Sequence, residues 1–247
     1  MSEGDLPLLL LHPIAQDPDC WSFAGFPTAQ AYALPGHGGR PRQRMSLDEM
    51  ADEAAAGVQG RFDVLGVAMG SIVAQHLLVR HPGRVRSALL ACAAASSRRE
   101  VMLARAATAE QQGMEAVTPS TLARWFTPEA LVSPGHPGVA YARGVLLRMD
   151  PAALADAWLA ISAHDLLEQL PSVEVPTTLV AGARDQAVPV AAIQPMRERL
   201  PRSRMEVLPG PHMIHLEEPA ALRASLDRHL LWVGSGAEPR TNQEAAR

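Results

Sequence analysis

Short apolar runs separated by amphipathic stretches predict alternating strands and helices in both halves of the chain. The first run, Leu8 to Leu11, is apolar at every position and ends at His12-Pro13, which is typical of a strand buried on both faces of a parallel sheet. Similar runs cover residues 31–34, 62–66, 85–91, 177–180 and 205–208. This alternation predicts an α/β fold with a mostly parallel sheet, helices on both faces and right-handed crossovers.

The helices that separate these runs carry recognisable start and stop signals. Ser46 and Glu49 have the spacing of a capping box, which predicts a helix beginning at residue 47. Helical spacing of apolar residues also predicts helices over residues 71–81, 193–200 and 219–231. Pro82-Gly83 ends the first of these three.

The pattern changes between residues 96 and 170, where helical periodicity continues without a clear strand. Candidate helices cover residues 98–112, 119–126, 139–147 and 152–170. A helical block inserted between two strands predicts a lid over the carboxyl edge of the sheet, where such folds bind ligands. We therefore expect a core in two parts, residues 1–95 and 171–233, a lid over residues 96–170 and a disordered tail over residues 234–247.

Composition narrows the possible functions. A net charge of −4 gives no reason to expect nucleic acid, and the chain contains no lysine, which excludes a Schiff-base enzyme and a Walker-type phosphate loop. Cys20 and Cys92 lie in no metal-ligand spacing, so we expect neither a metal nor a cofactor. Unpaired thiols, the absence of a signal peptide and the absence of a run long enough to span a bilayer predict a cytoplasmic protein without a membrane partner. The oligomeric state is left open.

Gly66-Val67-Ala68-Met69-Gly70 joins a predicted buried strand directly to a predicted helix. Its glycine spacing is that of the nucleophile elbow Gly-x-Ser-x-Gly, in which a sharp turn presents the central side chain. Here the centre is Ala68, whose methyl group cannot attack a carbonyl. Taken alone, the pattern also fits an ordinary glycine-rich strand–helix turn.

Two later segments make the catalytic interpretation stronger. Asp185 follows the strand over residues 177–180, and His212 follows the strand over residues 205–208. A single loop Asp or His is usually a solvated surface residue. The chain order of elbow, acid and histidine, each just beyond the carboxyl end of a strand, is the order found in α/β-hydrolases.

At these residues the sequence resembles the α/β-hydrolase family, over nearly the whole chain from residue 6 to about 231. The similar stretches are residues 34–38, 66–75, 176–185 and 210–219, and residues 211–219 are close to the family's His-loop signature. Residues 124–128 and 165–170 look like the 3-oxoadipate enol-lactonase branch. The sequence departs from the family at Ala68, at Ser71 where a glycine is common, and at Pro13 where the family often has glycine.

The resemblance implies a role for each matching position. Asp185 would hold the tautomer of His212, which would act first as general base and then as general acid. The backbone N–H groups of Met69 and Ile14 would form an oxyanion hole, because Pro13 has no N–H to donate. His12 and His37 either support this loop or simply form hydrogen bonds in the core.

The same resemblance suggests a substrate pocket under the lid. Trp125, Phe126 and Trp158 would line it, although packing between helices explains these side chains nearly as well. Arg124, or alternatively Arg143 or Arg148, would hold a substrate carboxylate, and a solvated helix face is the simpler alternative for each. The implied partner is a small ester or lactone.

Three hypotheses account for Ala68. The first is an esterase or lactonase, enol-lactonase-like, whose serine has been replaced, naturally or deliberately, so that it is inactive or trapped in hydrolysis. The second is a natural lyase, isomerase or cyclase that uses His212, Asp185 and the oxyanion hole without a covalent step. The third is a ligand-binding pseudo-hydrolase. Ser71 is predicted to point away from His212, and Cys92 to be a small core residue, so neither is expected to replace the missing hydroxyl.

Overall fold

The structure, a computed structural model, describes residues 6–26 and 30–236. Its centre is a six-stranded sheet with the spatial order β2-β1-β3-β4-β5-β6, in which every neighbouring pair of strands is parallel. The strands are β1 (Leu8–Leu11), β2 (Gln30–Tyr32), β3 (Phe62–Val67), β4 (Val85–Ala91), β5 (Thr177–Gly182) and β6 (Ser203–Leu208). The predicted α/β class with a parallel sheet is confirmed.

Helices flank the sheet. They are α1 (Leu47–Ala56), α2 (Met69–Arg80), α3 (Arg99–Trp125), α4 (Pro128–Val132), α5 (Pro137–Arg148), α6 (Pro151–Ser162), α7 (Val190–Arg199), α8 (Ile214–Glu217) and α9 (Pro219–Gly234). Two 3-10 helices cover Pro18–Ala24 and Leu170–Ser172. The predicted capping box is present at α1, because Ser46 Oγ accepts from the Glu49 amide and the Glu49 carboxylate accepts from the Ser46 amide.

The continuous apolar runs became the central strands because helices cover both faces of those strands. Every residue of β3 and β5 is buried, and Leu10 and Leu65 are fully excluded from solvent. Burying a leucine side chain contributes roughly 1.5–3 kcal/mol, so alternation with polar residues has no place in such strands. The carboxyl ends of β3, β4 and β5 therefore emerge side by side from a rigid core.

Helices α3 to α6 lie between β4 and β5 in the chain, and we call residues 99–162 the helical insertion. α3 is bent at Gly113, whose φ of 74° and ψ of 175° interrupt the helical backbone, so its two halves run in different directions. α3 packs along α6. The Met213 amide donates to the Trp125 carbonyl at 3.1 Å, which ties the end of α3 to the loop that carries His212.

The structure corrects two sequence predictions at element ends. The helix predicted over residues 152–170 stops at Ser162, because the Ser97 amide donates to the His164 carbonyl and the Leu166 amide donates to the Ala95 carbonyl, each at 2.9 Å. This pairing holds the segment extended. The tail predicted from residue 234 begins inside α9, which ends at Gly234; residues 237–247 lie outside the described residues.

Within residues 6–26 and 30–236, no helix is both long enough and apolar enough to span a bilayer.

Candidate active site

Ala68 occupies the apex of a sharp turn between β3 and α2. Its φ of 50° and ψ of −116° lie outside the regions that a residue with a side chain normally adopts. The flanking glycines make the turn possible: a Cβ on Gly70 would lie 1.8 Å from the Leu11 carbonyl oxygen, and one on Gly66 would lie 2.6 Å from the backbone of Gly70. The elbow geometry predicted from the spacing is therefore present around a methyl group.

His212 and Asp185 form a hydrogen-bonded pair. His212 Nδ1 donates to Asp185 Oδ2 at 2.8 Å, and the carboxylate itself is fully shielded from solvent. The other carboxylate oxygen, Oδ1, accepts from the amides of Ala187 at 2.7 Å and Val188 at 2.8 Å. This arrangement fixes the carboxylate and places the proton of the imidazole on Nδ1. Among the described residues Nε2 has no hydrogen-bond partner, so it can act on a ligand.

The two predicted oxyanion donors lie beside the apex. Met69 is the first residue of α2, so its N–H has no acceptor within the helix and lies at the positive end of the helix dipole. Ile14 lies in the loop that follows β1, and its side chain lines the same cavity as Ala68 and Met69. No hydrogen bond within the described part of the chain engages the Ile14 amide.

His12 and His37 brace the loop that carries Ile14. His12 Nδ1 donates to the Pro13 carbonyl at 2.8 Å while its Nε2 accepts from the Leu34 amide at 3.0 Å. His37 Nδ1 donates to the Pro35 carbonyl at 2.8 Å, and its Nε2 accepts from the Ala15 amide at 3.0 Å. Both rings are therefore neutral. Burial agrees with this, since it lowers the pKa of His12 to about 3 and that of His37 to about 4.

A cavity of about 330 Å³ opens at Ala68. Its volume is at the lower end of the range typical of small-molecule sites. The sheet side contributes Ala68, Met69, Cys92 and His212, and the helical insertion contributes Met102, Arg105, Arg124, Trp125, Trp158 and Ile161. The cavity therefore joins the elbow, the histidine and the insertion in one space.

The predicted pocket residues divide into those that line this cavity and one that does not. Trp125, Trp158 and Arg124 line it. Phe126 does not, and this part of the sequence prediction is wrong. α3 ends at Trp125, so Phe126 has extended backbone and its ring packs against His136, with 2% of the residue exposed. Arg143 and Arg148, the alternatives to Arg124, are also absent from its walls.

Neither Ser71 nor Cys92 takes the place of the missing hydroxyl, and the reason differs between the two. Ser71 Oγ lies 2.6 Å from the Gly66 carbonyl oxygen and 2.8 Å from both the carbonyl oxygen and the amide nitrogen of Ala91, so it is occupied by the backbone. Cys92 is a fully buried residue of the core, as predicted, and it also lines the cavity beside Asp185. Burial, and after it the charge of Asp185, raises the pKa of the Cys92 thiol well above its ordinary value. The reactive thiolate is therefore disfavoured.

Cys92, Asp185 and His212 offer a sulfur, an oxygen and a nitrogen within 4.8 Å of one another. Zinc accepts such a donor set. However, the oxygen and nitrogen of the His212–Asp185 contact are 2.8 Å apart, closer than the roughly 3.3 Å expected between two ligands at about 2.0 Å from a tetrahedral ion. In the present arrangement these two residues are joined by a hydrogen bond.

Sequence reasoning missed Arg98 and Arg105, which also line the cavity. Arg98 and Arg105 belong to no recognisable sequence motif. The structure stacks Arg105 on Trp158, with the guanidinium carbon 4.9 Å from the ring centroid, and the sequence carries no signal for this pairing.

A parallel sheet with a strained strand–helix turn, a loop acid and a loop histidine in this order defines the class of α/β-hydrolases. Residues 8–225 match the model of the Alpha/beta hydrolase family, and the chain belongs to that family.

Two curated relatives are hydrolases of esters or lactones. The chain is 27% identical over 163 residues to 3-oxoadipate enol-lactonase 2 of Acinetobacter baylyi, a match that covers 66% of this chain and 61% of the relative, less than two thirds of its length. It is 31% identical over 191 residues to a pimeloyl-[acyl-carrier protein] methyl ester esterase of Chromobacterium violaceum, covering 68% of this chain and 69% of the relative. The predicted similarity to enol-lactonases is confirmed.

Solved structures give the same fold. A hydrolase from Pseudomonas aeruginosa PA01 superposes with a TM-score of 0.83 at 26% identity, covering 91% of this chain and 90% of the other. The enol-lactonase from Burkholderia xenovorans LB400 superposes with a TM-score of 0.84 at 24% identity, covering 94% of each chain. The predicted α/β-hydrolase fold is confirmed by these likenesses.

Proposed function

We propose that the cavity binds a small carboxylic ester or lactone, and that Ala68 occupies the position of a nucleophile that this chain lacks. The proposal rests on one observation: the strained apex at Ala68 and the imidazole of His212, held by Asp185, line one cavity. A turn as strained as this one needs the two glycines around it, and it serves to present the side chain at its apex.

Each role in acyl transfer has a candidate residue except that of the nucleophile, which would form the first bond to the substrate. The substrate carbonyl oxygen would accept from the amides of Met69 and Ile14, and His212 Nε2 would take the proton of an attacking hydroxyl. Asp185 would stabilise the imidazolium that forms. Without a hydroxyl at position 68, no acyl-enzyme can form, and loss of a serine nucleophile costs roughly 10⁶-fold in turnover.

The relatives support esters and lactones as the substrate class. One is named as an enol-lactonase and the other as a methyl ester esterase, and both activities cleave an acyl–oxygen bond. The two names leave different leaving groups open for this chain, a ring oxygen in the first and methanol in the second.

The test restores the hydroxyl. Ala68→Ser should hydrolyse p-nitrophenyl acetate and an enol-lactone at least about 10³-fold faster than the chain as it is, because an engineered hydroxyl recovers part of the roughly 10⁶-fold loss. The double variant Ala68→Ser/His212→Ala should return to background. Ala192→Ser, which adds a hydroxyl to another wall of the cavity, is the matched control and should remain inactive. Equal activity of the two serine variants would contradict the proposal.

A second candidate is a lyase, isomerase or cyclase that needs no covalent step. It is favoured by one observation: the His212–Asp185 hydrogen bond and the two amides that hold Asp185 are complete although there is no nucleophile to serve. A neutral imidazole held in this way can remove a proton, and the oxyanion donors can stabilise an enolate. Turnover of a non-ester by the unaltered chain, lost in His212→Ala, would establish it. Tight ligand binding without turnover, both by the unaltered chain and by Ala68→Ser, would indicate a binding protein instead.

A further inference from the structure

Two buried histidines outside the cavity face each other at the base of the helical insertion. His76 lies on α2, and His164 lies just after α6, the last helix of the insertion. Nε2 of His76 is 3.3 Å from Nδ1 of His164, and the two residues are 8% and 2% exposed. They are 88 positions apart in the chain, so no sequence motif joins them.

The outer nitrogen of each ring is already bonded to an acceptor. His76 Nδ1 donates to Asp48 Oδ1 at 2.6 Å, and His164 Nε2 donates to the Ala94 carbonyl at 3.0 Å. A neutral imidazole carries one N–H, so in two neutral rings both protons belong to these outer hydrogen bonds. The two inner nitrogens then present one lone pair each, and no proton lies between them.

The surroundings keep both rings neutral at neutral pH. Burial is the main cause, and it lowers the pKa of His164 to about 4 and also lowers the pKa of His76. The carboxylates of Asp48 and Asp165 act in the opposite direction, whereas Arg80 acts in the same direction as burial. Two lone pairs that face each other repel, and a cation between them would remove the repulsion.

The distance between the inner nitrogens selects among cations. Two ligands at about 2.0–2.1 Å from a tetrahedral ion lie roughly 3.3 Å apart, which is the observed distance. Neighbouring ligands of a square-planar ion, at similar bond lengths, lie roughly 2.8 Å apart. Tetrahedral coordination that includes imidazole is typical of zinc. Zinc-binding histidines also donate their other N–H to a carboxylate or a backbone carbonyl, as His76 and His164 do.

We propose that His76 and His164 bind a zinc ion through these two inner nitrogens, with water in the remaining positions. The site is separate from the cavity at Ala68 and does not depend on the proposed function. It departs from the expectation, drawn from the spacing of the cysteines, that the chain binds no metal.

Space and hydrogen-bond acceptors for the water ligands lie beside the pair. A second cavity, of about 520 Å³, is lined by His76 and Asp48. Gln75 Nε2 donates at 3.2 Å to the Ala94 carbonyl that also accepts from His164. Gln75 Oε1 is buried and has no hydrogen-bond partner among the described residues, so it is available to accept from a zinc-bound water.

An ion at this position would fasten the end of the insertion to α2. α2 begins at Met69, the proposed oxyanion donor, and Ala94, which His164 contacts, lines the cavity at Ala68. Zinc would therefore stabilise the folded chain and hold the base of the insertion without contacting a substrate.

Calorimetry measures zinc binding to the metal-free, untagged chain at about pH 7. The unaltered chain should bind one zinc ion. His76→Gln and His164→Gln should each weaken binding by more than about tenfold, and Asp48→Asn by about tenfold, because Asp48 orients a ligand. His81→Gln is the matched control and should keep the affinity. The His81 ring also contacts an aspartate, Asp52 at 2.7 Å, but no second histidine faces it in the described part of the chain.

Two further measurements separate loss of the ligand from loss of the fold. Cobalt(II) bound by the unaltered chain should show the intense visible absorption of tetrahedral coordination. Zinc should raise the urea midpoint of the unaltered chain, because the site exists only in the folded state, and should leave that of His164→Gln unchanged. The midpoint without zinc reports whether each variant is folded.

Several results would overturn the proposal. These are no zinc binding by the unaltered chain, a weak octahedral cobalt spectrum, or an affinity that survives in both His76→Gln and His164→Gln. Loss of binding in His212→Gln would place the ion at Cys92, Asp185 and His212 instead. Histidine NMR resonances that show one proton shared by the pair at about pH 7, without zinc binding, would establish a hydrogen bond in place of the metal site.

Discussion

The backbone amide of Ala15 donates a hydrogen bond to Nε2 of His37, 22 residues away, at a distance of 3.0 Å. Ala15 has a φ of 53° and follows Ile14 directly, so this bond holds the loop that presents the proposed oxyanion donor. His37 is in turn fixed by the Pro35 carbonyl. We interpret His37 as a positioning residue that acts through the backbone and does not touch the substrate.

In the Ala68→Ser background, His37→Ala should lower kcat for p-nitrophenyl acetate by about tenfold or more, because a misplaced oxyanion donor loses part of the 10²–10³-fold that such donors provide. KM should change little. His37→Gln, whose side-chain oxygen can accept from the Ala15 amide, should recover much of the rate. If kcat falls equally in both variants, or KM alone changes, the positioning role is contradicted.

Gly70 makes the elbow possible, so Gly70→Ala should be strongly destabilising. The added Cβ would lie 1.8 Å from the Leu11 carbonyl oxygen, a contact that only a backbone shift in the central sheet can relieve. We expect a loss of about 3 kcal/mol or more in the free energy of unfolding, measured by urea denaturation. Gly83→Ala, where a Cβ meets no atom within 4 Å, should lose about 1 kcal/mol or less. Similar losses at both positions would show that the elbow is not closely packed.

The structure predicts acid sensitivity through buried histidines. Burial lowers the pKa of His12, His215 and His229 to about 3 and that of His37 and His164 to about 4, against an ordinary value near 6.5. Between these values the unfolded chain binds protons that the folded chain does not. The free energy of unfolding should therefore fall as pH falls below about 6.5, by up to about 1.4 kcal/mol per pH unit for each histidine.

Urea midpoints measured between about pH 8 and pH 5 test this dependence. The midpoint should be nearly constant above about pH 7 and decline below it. His229→Gln keeps a polar group near Thr178, the residue whose hydroxyl lies 2.8 Å from the ring of His229, and should make the decline shallower by one proton. A midpoint that does not change over the whole range would show that these histidines bind protons equally in the folded and unfolded chains, and it would contradict the lowered pKa values.

Asp185 should be required once a nucleophile is present. In the Ala68→Ser background, Asp185→Asn should lower kcat by about 10⁴-fold, because an amide in place of the carboxylate favours the wrong tautomer of His212. Asp165→Asn, at the isolated pairing with Ser96, is a suitable control outside the cavity. An Asp185→Asn variant as active as its parent would mean that Asp185 does not set the tautomer of His212.

The sequence predicted the parts of the site that backbone patterns determine. Apolar runs locate β3, β5 and β6, and the residues after them, Ala68, Asp185 and His212, follow because parallel strands end at one edge of a sheet. The spacing of Gly66 and Gly70 predicts the turn, because neither position has room for a side chain.

Side-chain direction within the insertion could not be predicted in the same way. Arg105 and Arg124 line the same cavity, and α3 is bent at Gly113 between them. A helical period continued through the bend assigns the wrong direction to one of the two side chains. Phe126 was assigned to the pocket because it follows Trp125, but the helix ends between the two and turns its ring toward His136. Cys92 lies in the core, as predicted, but its φ of 57° just after β4 and its place in the cavity wall could not be predicted from periodicity.

The proposed empty nucleophile position is tested most directly by intact-mass measurement after treatment with a fluorophosphonate, which labels only a hydroxyl activated by a neighbouring base. Ala68→Ser should gain one adduct, mapped to position 68 by peptide sequencing, whereas the unaltered chain and Ala68→Ser/His212→Ala should gain none. Labelling of the unaltered chain at Ser71 or Cys92, or no labelling of Ala68→Ser, would contradict the account.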